Sequence, residues 1–315
     1  MKKFTISISL ILMTMLIGLS AYSQHILCVD RDGSAYSTNF TNVWPKFQGA
    51  LEANAYTYTY YEVLEPQLSG PDATVMSEHD LVIFFTGETW ADGATMTIDD
   101  EFNLLLYLSV SSGKLFLSAQ DYLWDRYPNA GVFAPGDFPL DVLGLEEVSQ
   151  DMWLVAKPDT LAVYGVPGSF ADGMVFGIQD VYTTEKEGLW IDHMIQHKGM
   201  DVLNIRGPGT DSIAAYQYET EVYRSIFSTI SFAGIIDTNI RTEFMKRAVS
   251  WLLGTTGAVE IISNEKLDIL VHPNPARDHV KIGMLDKMNE VKIFNNTGQL
   301  VYQKNVEDSK INVNI

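Results

Sequence analysis

The sequence predicts an α/β protein: a parallel sheet wrapped by helices, with a β-rich insertion and a small β-sandwich at the C-terminal end. Three observations carry this. Short apolar runs such as Asp80-Leu81-Val82-Ile83-Phe84-Phe85-Thr86-Gly87 read as strands buried on both faces. Segments of helical period alternate with them, so successive strands are joined by crossovers and pair in parallel. From residue 267 the pattern changes to short alternating runs broken by Pro and Gly, as in a small antiparallel sandwich.

The elements follow in order. Lys2 and Lys3, an apolar stretch over residues 4–19 and Ala21-Tyr22-Ser23 form a signal-peptide pattern, so the mature chain is expected to begin near Gln24. The stretch is short for a membrane anchor and lacks a stop-transfer flank. Leu27 precedes Cys28 where a lipoprotein signal needs a small residue, which excludes that processing.

Residues 25–30 form a first buried strand, ending in the turn Asp30-Arg31-Asp32-Gly33. Phe40, Val43, Trp44, Phe47, Ala50 and Leu51 recur at helical spacing, and Asn54 closes that helix. Residues 56–63 are rich in Tyr and Thr and read as a strand. A loop over 65–70 and the strand over 80–87 come next. Thr97 then caps a helix with Asp100 at its third position, and the helix runs through Phe102, Leu105, Leu106 and Leu108 to Gly113. Residues 114–118 are the fourth strand.

Between 144 and 222 the alternation breaks into an insertion of irregular strands and hairpins, with β-like pieces at 173–178, 202–205 and 212–218. It lies between the fourth and last strands of the sheet, where binding loops often sit. A strand-like run over 223–234 leads to a helix opened by Asp237 and ending at Gly254. The organisation expected is a leader over 1–23, a body over 24–254, a linker over 255–266 and a tail over 267–315.

Composition narrows the function. The 315 residues are 46% hydrophobic, which is globular. The leader carries two lysines and the tail balances six Lys/Arg against six Asp/Glu, so residues 24–266 hold −21 against a total of −19. Such a body repels nucleic acid, since phosphate binding needs clustered Lys or Arg. Cys28 is the single cysteine, so no intramolecular disulfide forms, and its apolar surroundings make it an inert buried thiol. No other stretch approaches the length of a membrane span.

The acidic turn after the first strand, the Asp80–Gly87 run and Gly113-Lys114-Leu115-Phe116-Leu117-Ser118-Ala119-Gln120-Asp121 resemble the class I glutamine-amidotransferase-like fold, a flavodoxin-like relative. The resemblance covers about residues 24–254. It implies a body of a kind found in secreted multidomain bacterial proteins, usually with no assigned activity. The reactive Cys of true amidotransferases, set between glycines after a strand, is replaced here by Leu117-Ser118-Ala119-Gln120-Asp121, and the His-x-Glu partner is missing. Ammonia release from glutamine is therefore not expected, and a non-catalytic body is favoured.

The tail residues Leu267-Asp268-Ile269-Leu270-Val271-His272-Pro273-Asn274-Pro275-Ala276-Arg277-Asp278, followed by Val280-Lys281-Ile282 and by Val291-Lys292-Ile293-Phe294-Asn295-Asn296-Thr297-Gly298, resemble the type A sorting domain read by the type IX secretion system. Pro273, Asn274, Pro275 and Gly298 carry the motif. The resemblance implies export, with the secretion machinery as partner and the outer cell surface or extracellular space as destination. Such domains continue through a Gly-Val-Tyr type strand and a basic terminal strand, whereas this chain stops at Ile315, so the tail reads as shortened.

Several constellations bear on chemistry. Ligands of open α/β sheets bind beyond the carboxyl ends of the strands, which brings Asp30, Asp32, Thr86, Gly87, Glu88, Gln120 and Asp121 to one edge. Carboxylates there suit Ca²⁺, and Asp30-Arg31-Asp32-Gly33-Ser34 has the start of a calcium loop without its later ligands; the alternative is that both Asp side chains cap the following turn and helix. No other cofactor is expected. Ser118 and Asp121 are the candidates for a hydrolase site, with or without a metal, yet Leu117 and Gln120 do not suit a nucleophile elbow and Ser118 reads better as bonded to backbone. His193 and His197 would lie one turn apart on a helix, with Met194 where a zinc peptidase carries Glu. Tyr122, Trp124, Tyr127, Trp153 and Trp190 are either core or a glycan platform. A glycan or protein ligand is the expected partner of the body.

Overall fold

The computed structural model describes residues 24–90, 95–153, 161–181, 189–207, 210–254, 269–273, 279–285, 287–295 and 299–314. The leader, the linker, Asn274, Pro275 and Gly298 lie outside them. The chain runs β1 (His25–Asp30), α1 (Trp44–Ala53), β2 (Thr57–Glu62), α2 (Ala73–Ser77), β3 (Leu81–Gly87), α3 (Ile98–Ser111) and β4 (Lys114–Ala119). Short helices α4 (Tyr122–Arg126) and α5 (Phe138–Asp141) precede β5 (Leu145–Trp153), β6 (Leu161–Gly165), β7 (Val175–Ile178), β8 (Ile191–His197), β9 (Met200–Gly207) and β10 (Thr210–Glu219). The body closes with β11 (Arg224–Ser228) and α6 (Thr238–Leu252). The tail holds β12 (Leu270–His272), β13 (His279–Gly283), β14 (Glu290–Phe294), β15 (Leu300–Asn305) and β16 (Lys310–Asn314).

Five strands, β2-β1-β3-β4-β11 in space, are parallel, which is the α/β core expected. The side chains of β1, β3, β4 and β11 are buried on both faces because alternate residues enter two separate cores, whereas the edge strand β2 is mostly exposed. Ile26, Cys28, Ile83, Phe85 and Phe116 meet α1 and α6 through Phe47, Leu51, Phe244 and Ala248. Leu27, Val29, Val82, Phe84 and Leu117 meet α2, α3 and α4 on the other side. Each fully buried Phe or Leu contributes roughly 1.5–3 kcal/mol by leaving water. Burial raises the Cys28 thiol well above the ordinary thiol range, so it stays protonated.

The purely parallel sheet expected is enlarged to a mixed one. Strands β10, β9, β6 and β7 of the insertion add antiparallel to the edge of β11, giving nine strands. A hairpin from β10 to β11 needs only a short turn, whereas another parallel strand needs a crossover. The remaining pieces, β5 and β8, form a separate ribbon whose Leu145, Val148 and Met194 cover the second core.

Local chemistry sets the element ends. The capping box forms as read: Thr97 Oγ1 accepts from Asp100 N at 3.1 Å, and Asp100 Oδ2 accepts from Thr97 N at 2.7 Å. Asp237 Oδ1 accepts from the amides of Asn239 and Ile240 and opens α6. The first helix starts at Trp44, later than its periodicity suggests. Phe40 is instead folded onto Gly33, which has φ +79°, and a Cβ there would stand 2.4 Å from the Phe40 ring. The strand predicted over 223–234 ends at Ser228 and passes into a 3-10 turn, Phe232–Gly234.

The tail is two small antiparallel sheets, β12-β13-β16 and β14-β15, around Val280, Ile282, Met288, Val291, Val306, Ile311 and Val313. It does not join the main sheet. It does lean on the body, since Leu270 and Leu285 pack against the second core.

Candidate functional site

Two groups of polar residues collect at the carboxyl edge of the parallel strands. The first follows β1. Asp32 Oδ2 accepts from Val43 N at 2.6 Å and Oδ1 from Ser34 N at 2.9 Å, so its carboxylate anchors the turn and the start of α1. Asp30 accepts from Asp32 N at 3.0 Å and from the Tyr60 hydroxyl at 2.9 Å. Burial, with the Asp32 charge beside it, pushes the Asp30 carboxyl up to about 7. Arg31 turns away from both and pairs with Asp100 at 3.3 Å. All four carboxylate oxygens of Asp30 and Asp32 accept hydrogen bonds, and among the described residues no group of three His, Cys, Asp or Glu side chains is placed to hold a metal ion.

The second group follows β3 and β4. Gly87, at φ +60°, sits where β3 slips register against β4 and turns the chain. Glu88 is buried, shares a hydrogen bond with Asp180, and accepts from Val181 N at 3.2 Å. Burial, then that hydrogen bond and the Asp180 charge, raise the Glu88 carboxyl well above the usual range. Asp121 is raised too, first by burial and then by the charges of Asp192 and Asp151. Asp192, on β8, is pushed by burial to about 8, although its Oδ1 accepts from Asp151 N at 2.9 Å. Asp151 itself has φ +55°, an unusual backbone for a non-glycine residue beside a polar cluster.

Within this cluster several polar atoms lack partners. Among the described residues the hydroxyls of Thr86 and Ser231 and Oδ2 of Asp192 have no hydrogen-bond partner, and the Gln120 side chain has at most its neighbour Asp121. All four residues are buried. Buried polar groups are almost always satisfied, so these atoms are positions where water or a ligand bonds.

Ser118 is committed elsewhere. Its Oγ accepts from Phe232 N at 3.0 Å and lies 3.4 Å from the Ile230 carbonyl, tying β4 to the loop after β11. A hydroxyl so used, with no His beside it, is a structural latch.

The aromatic residues sort differently from the platform envisaged. Tyr122 and Tyr127 are internal: their hydroxyls bond Glu101 Oε1 at 2.9 and 3.2 Å. Trp124 is 38% exposed and meets Trp90, 42% exposed, edge-on at 6.3 Å. Trp90 stands two residues beyond Glu88 and Trp124 three beyond Asp121, so the pair bridges the two strand ends that carry the buried carboxyls. Trp190 is half-buried and the Trp153 side chain lies outside the description.

His193 and His197 sit on β8, a strand, where positions four apart are separated by roughly 13 Å. His193 Nδ1 accepts from Ile213 N and His197 Nε2 pairs with Asp201 at 2.8 Å, so the two share nothing. The helical reading fails because Ile191, Met194 and the buried Asp192 pack against neighbouring strands of the body.

Trp90, Asp180, Asp192 and Ser231 complete the cluster and were not legible as site residues. The one available signal was position: Trp90 and Ser231 each lie a few residues past a strand end.

Comparison with known proteins identifies the tail. Residues 270–315 match the secretion system C-terminal sorting domain. The protein is an exported one. Its sorting domain delivers it through the type IX secretion machinery to the cell surface or the extracellular space. Among the described residues no helix is long and apolar enough to cross a membrane.

Among solved structures, the chain is similar to a β-galactosidase from the Antarctic haloarchaeon Halorubrum lacusprofundi, at 9% identity and a TM-score of 0.47, over 93% of this chain and 40% of that one. It is also similar to the carbohydrate deacetylase Agd3, at 12% identity and 0.43, over 74% and 32%. A third is a cytoplasmic protein of Salmonella typhimurium LT2, at 10% identity and 0.44, over 74% and 99%. The chain thus spans less than half the length of the first two. A search of curated proteins finds no match.

Proposed function

We propose that the body is a glycan-binding domain of the glutamine-amidotransferase-like type without the catalytic thiol, carried outside the cell by its tail. The spatial order of the five parallel strands, which is the flavodoxin-like order, supports that fold assignment. The observation that carries the binding assignment is the exposed Trp90–Trp124 pair beside the strand ends that hold Glu88, Gln120 and Asp121. Aromatic faces stack on the apolar faces of sugar rings, while amide and carboxyl groups bond the hydroxyls. Carboxyls held protonated, as Asp192 is up to about pH 8, both donate and accept hydrogen bonds, which suits an uncharged polyol. The acidic body disfavours anionic polymers.

Affinity electrophoresis of the mature chain through gels containing glucan, mannan, xylan or alginate tests this. Retardation by a neutral polysaccharide, abolished in Trp90→Ala and in Trp124→Ala, is the expected result. Equal mobility in every gel, or retardation by alginate alone, would overturn it.

A second reading rests on Asp192, a protonated carboxyl with one unmatched oxygen, which is the condition of a general acid. On that reading the domain is a hydrolase using Asp192 with Asp121. Turnover of chromogenic glycosides that disappears in Asp192→Asn and Asp121→Asn would favour it.

A further inference from the structure

The sorting domain touches the body mainly along the outer side of α3, with a second contact at residues 136–141, where His272 Nδ1 lies 3.7 Å from Asp141 Oδ2. Lys281 Nζ bonds Asp99 Oδ1 at 2.9 Å and lies 5.2 Å from the centre of the Phe102 ring. Lys310 Nζ reaches Asn103 Oδ1 at 3.5 Å, and Thr74 Oγ1 donates to the Leu285 carbonyl at 2.9 Å. Gly283 packs close to the helix: a Cβ there would stand 2.8 Å from the tip of Phe102 and 3.3 Å from Leu106. Leu270 and Leu285 add apolar anchors to the body's second core.

These contacts come from separate points of the tail, on β12, β13 and β16 and the turn after β13, and they fall on α2, one stripe of α3 and residues 136–141. Two lysines of the tail meet an acidic helix start, which carries Asp99, Asp100 and Glu101 in its first turn. A cavity of about 170 Å³ remains in the seam, lined by Ile98, Phe102, Leu105, Phe138, His272 and Pro273 among others.

We propose that the outer face of α3 is a docking surface for the sorting domain, so that body and tail form one rigid unit while the tail is attached. The occupant is the chain's own β12-β13-β16 sheet. Docking makes the position of the tail depend on a folded α3. Burial raises the Asp99 carboxyl, but the hydrogen bond and charge of Lys281, with Lys310, outweigh it and hold the carboxyl below its usual range, as a seated tail requires. The surface is independent of the strand-edge site, so failure of the glycan reading leaves it untouched.

Carbodiimide coupling of the full mature chain at low concentration tests this, followed by separation of monomer from dimer and peptide mass analysis. An amide between Lys281 and Asp99 in the monomer is the expected product. Gly283→Trp, whose side chain points at Phe102 and away from the tail's own core, is expected to lower its yield about tenfold while leaving tail secondary structure intact. Deuterium exchange on α3 should rise in that variant. Lys281→Glu should raise it too, and adding Asp99→Lys should restore protection. Absence of the link, its confinement to dimers, or an unchanged yield in Gly283→Trp would each overturn the proposal.

Discussion

Arg31 and Asp100 form an ion pair at 3.3 Å, and neither side chain reaches solvent. The pair joins the turn after β1 to the first turn of α3. Asp100 also closes the capping box with Thr97 and accepts from Gly70 N at 2.6 Å, while Arg31 donates to the carbonyls of Pro66 and Leu68. One buried network therefore holds the strand edge, the loop over residues 65–70 and the helix on which the tail sits.

Removing one partner leaves the other charged and buried. Arg31→Met is expected to destabilise the mature chain by about 3–5 kcal/mol, seen as a lower urea midpoint. Thr97→Ala, which loses only the cap, should cost about 1 kcal/mol. Equal, small losses in both would show that the pair is not the keystone of this edge.

Stability should fall as pH rises. Asp192 ionises near its ordinary 3.8 when unfolded and at about 8 when folded, so between these values the unfolded chain has released a proton that the folded one keeps. The contribution is whole below about 3.8 and lost progressively up to about 8. Asp30, raised to about 7, acts in the same sense. Asp192→Asn keeps an acceptor for Asp151 N and removes its share of this slope. The variant should gain on the order of a few kcal/mol over the parent at pH 8.5 relative to pH 5, in paired denaturant titrations.

Gly33 tolerates no side chain. Its φ of +79° strains any L residue, and a Cβ would meet Phe40 at 2.4 Å and Thr89 at 2.6 Å. Gly33→Ala should lower stability by about 1–3 kcal/mol and loosen the loop before α1, read as faster deuterium exchange over residues 34–43.

Ser118→Ala tests the latch between β4 and the loop after β11. The hydroxyl ties β4 to the 3-10 turn through Phe232 N, so its loss should cost about 1–2 kcal/mol of stability. Polysaccharide retardation should persist. Loss of a hydrolytic activity without loss of stability would instead return Ser118 to the chemistry.

Much of this protein was written in local pattern. The strands over 25–30, 80–87 and 114–118, the capping box at Thr97 and the tail follow from hydrophobic period, turn residues and spacing, because those signals act within a few residues. The tail pattern also settles export, since a sorting domain is recognised by its own short strands and turns. Tertiary structure alone decided what lies beyond that range. It ran the insertion strands antiparallel along β11, set His193 and His197 on a strand and turned Tyr122 and Tyr127 inward onto Glu101. It joined Trp90 to Trp124, grouped Glu88, Asp121, Asp180 and Asp192, and seated Gly283 against Phe102. These partners are far apart along the chain, and only packing into a common core brings them within contact distance.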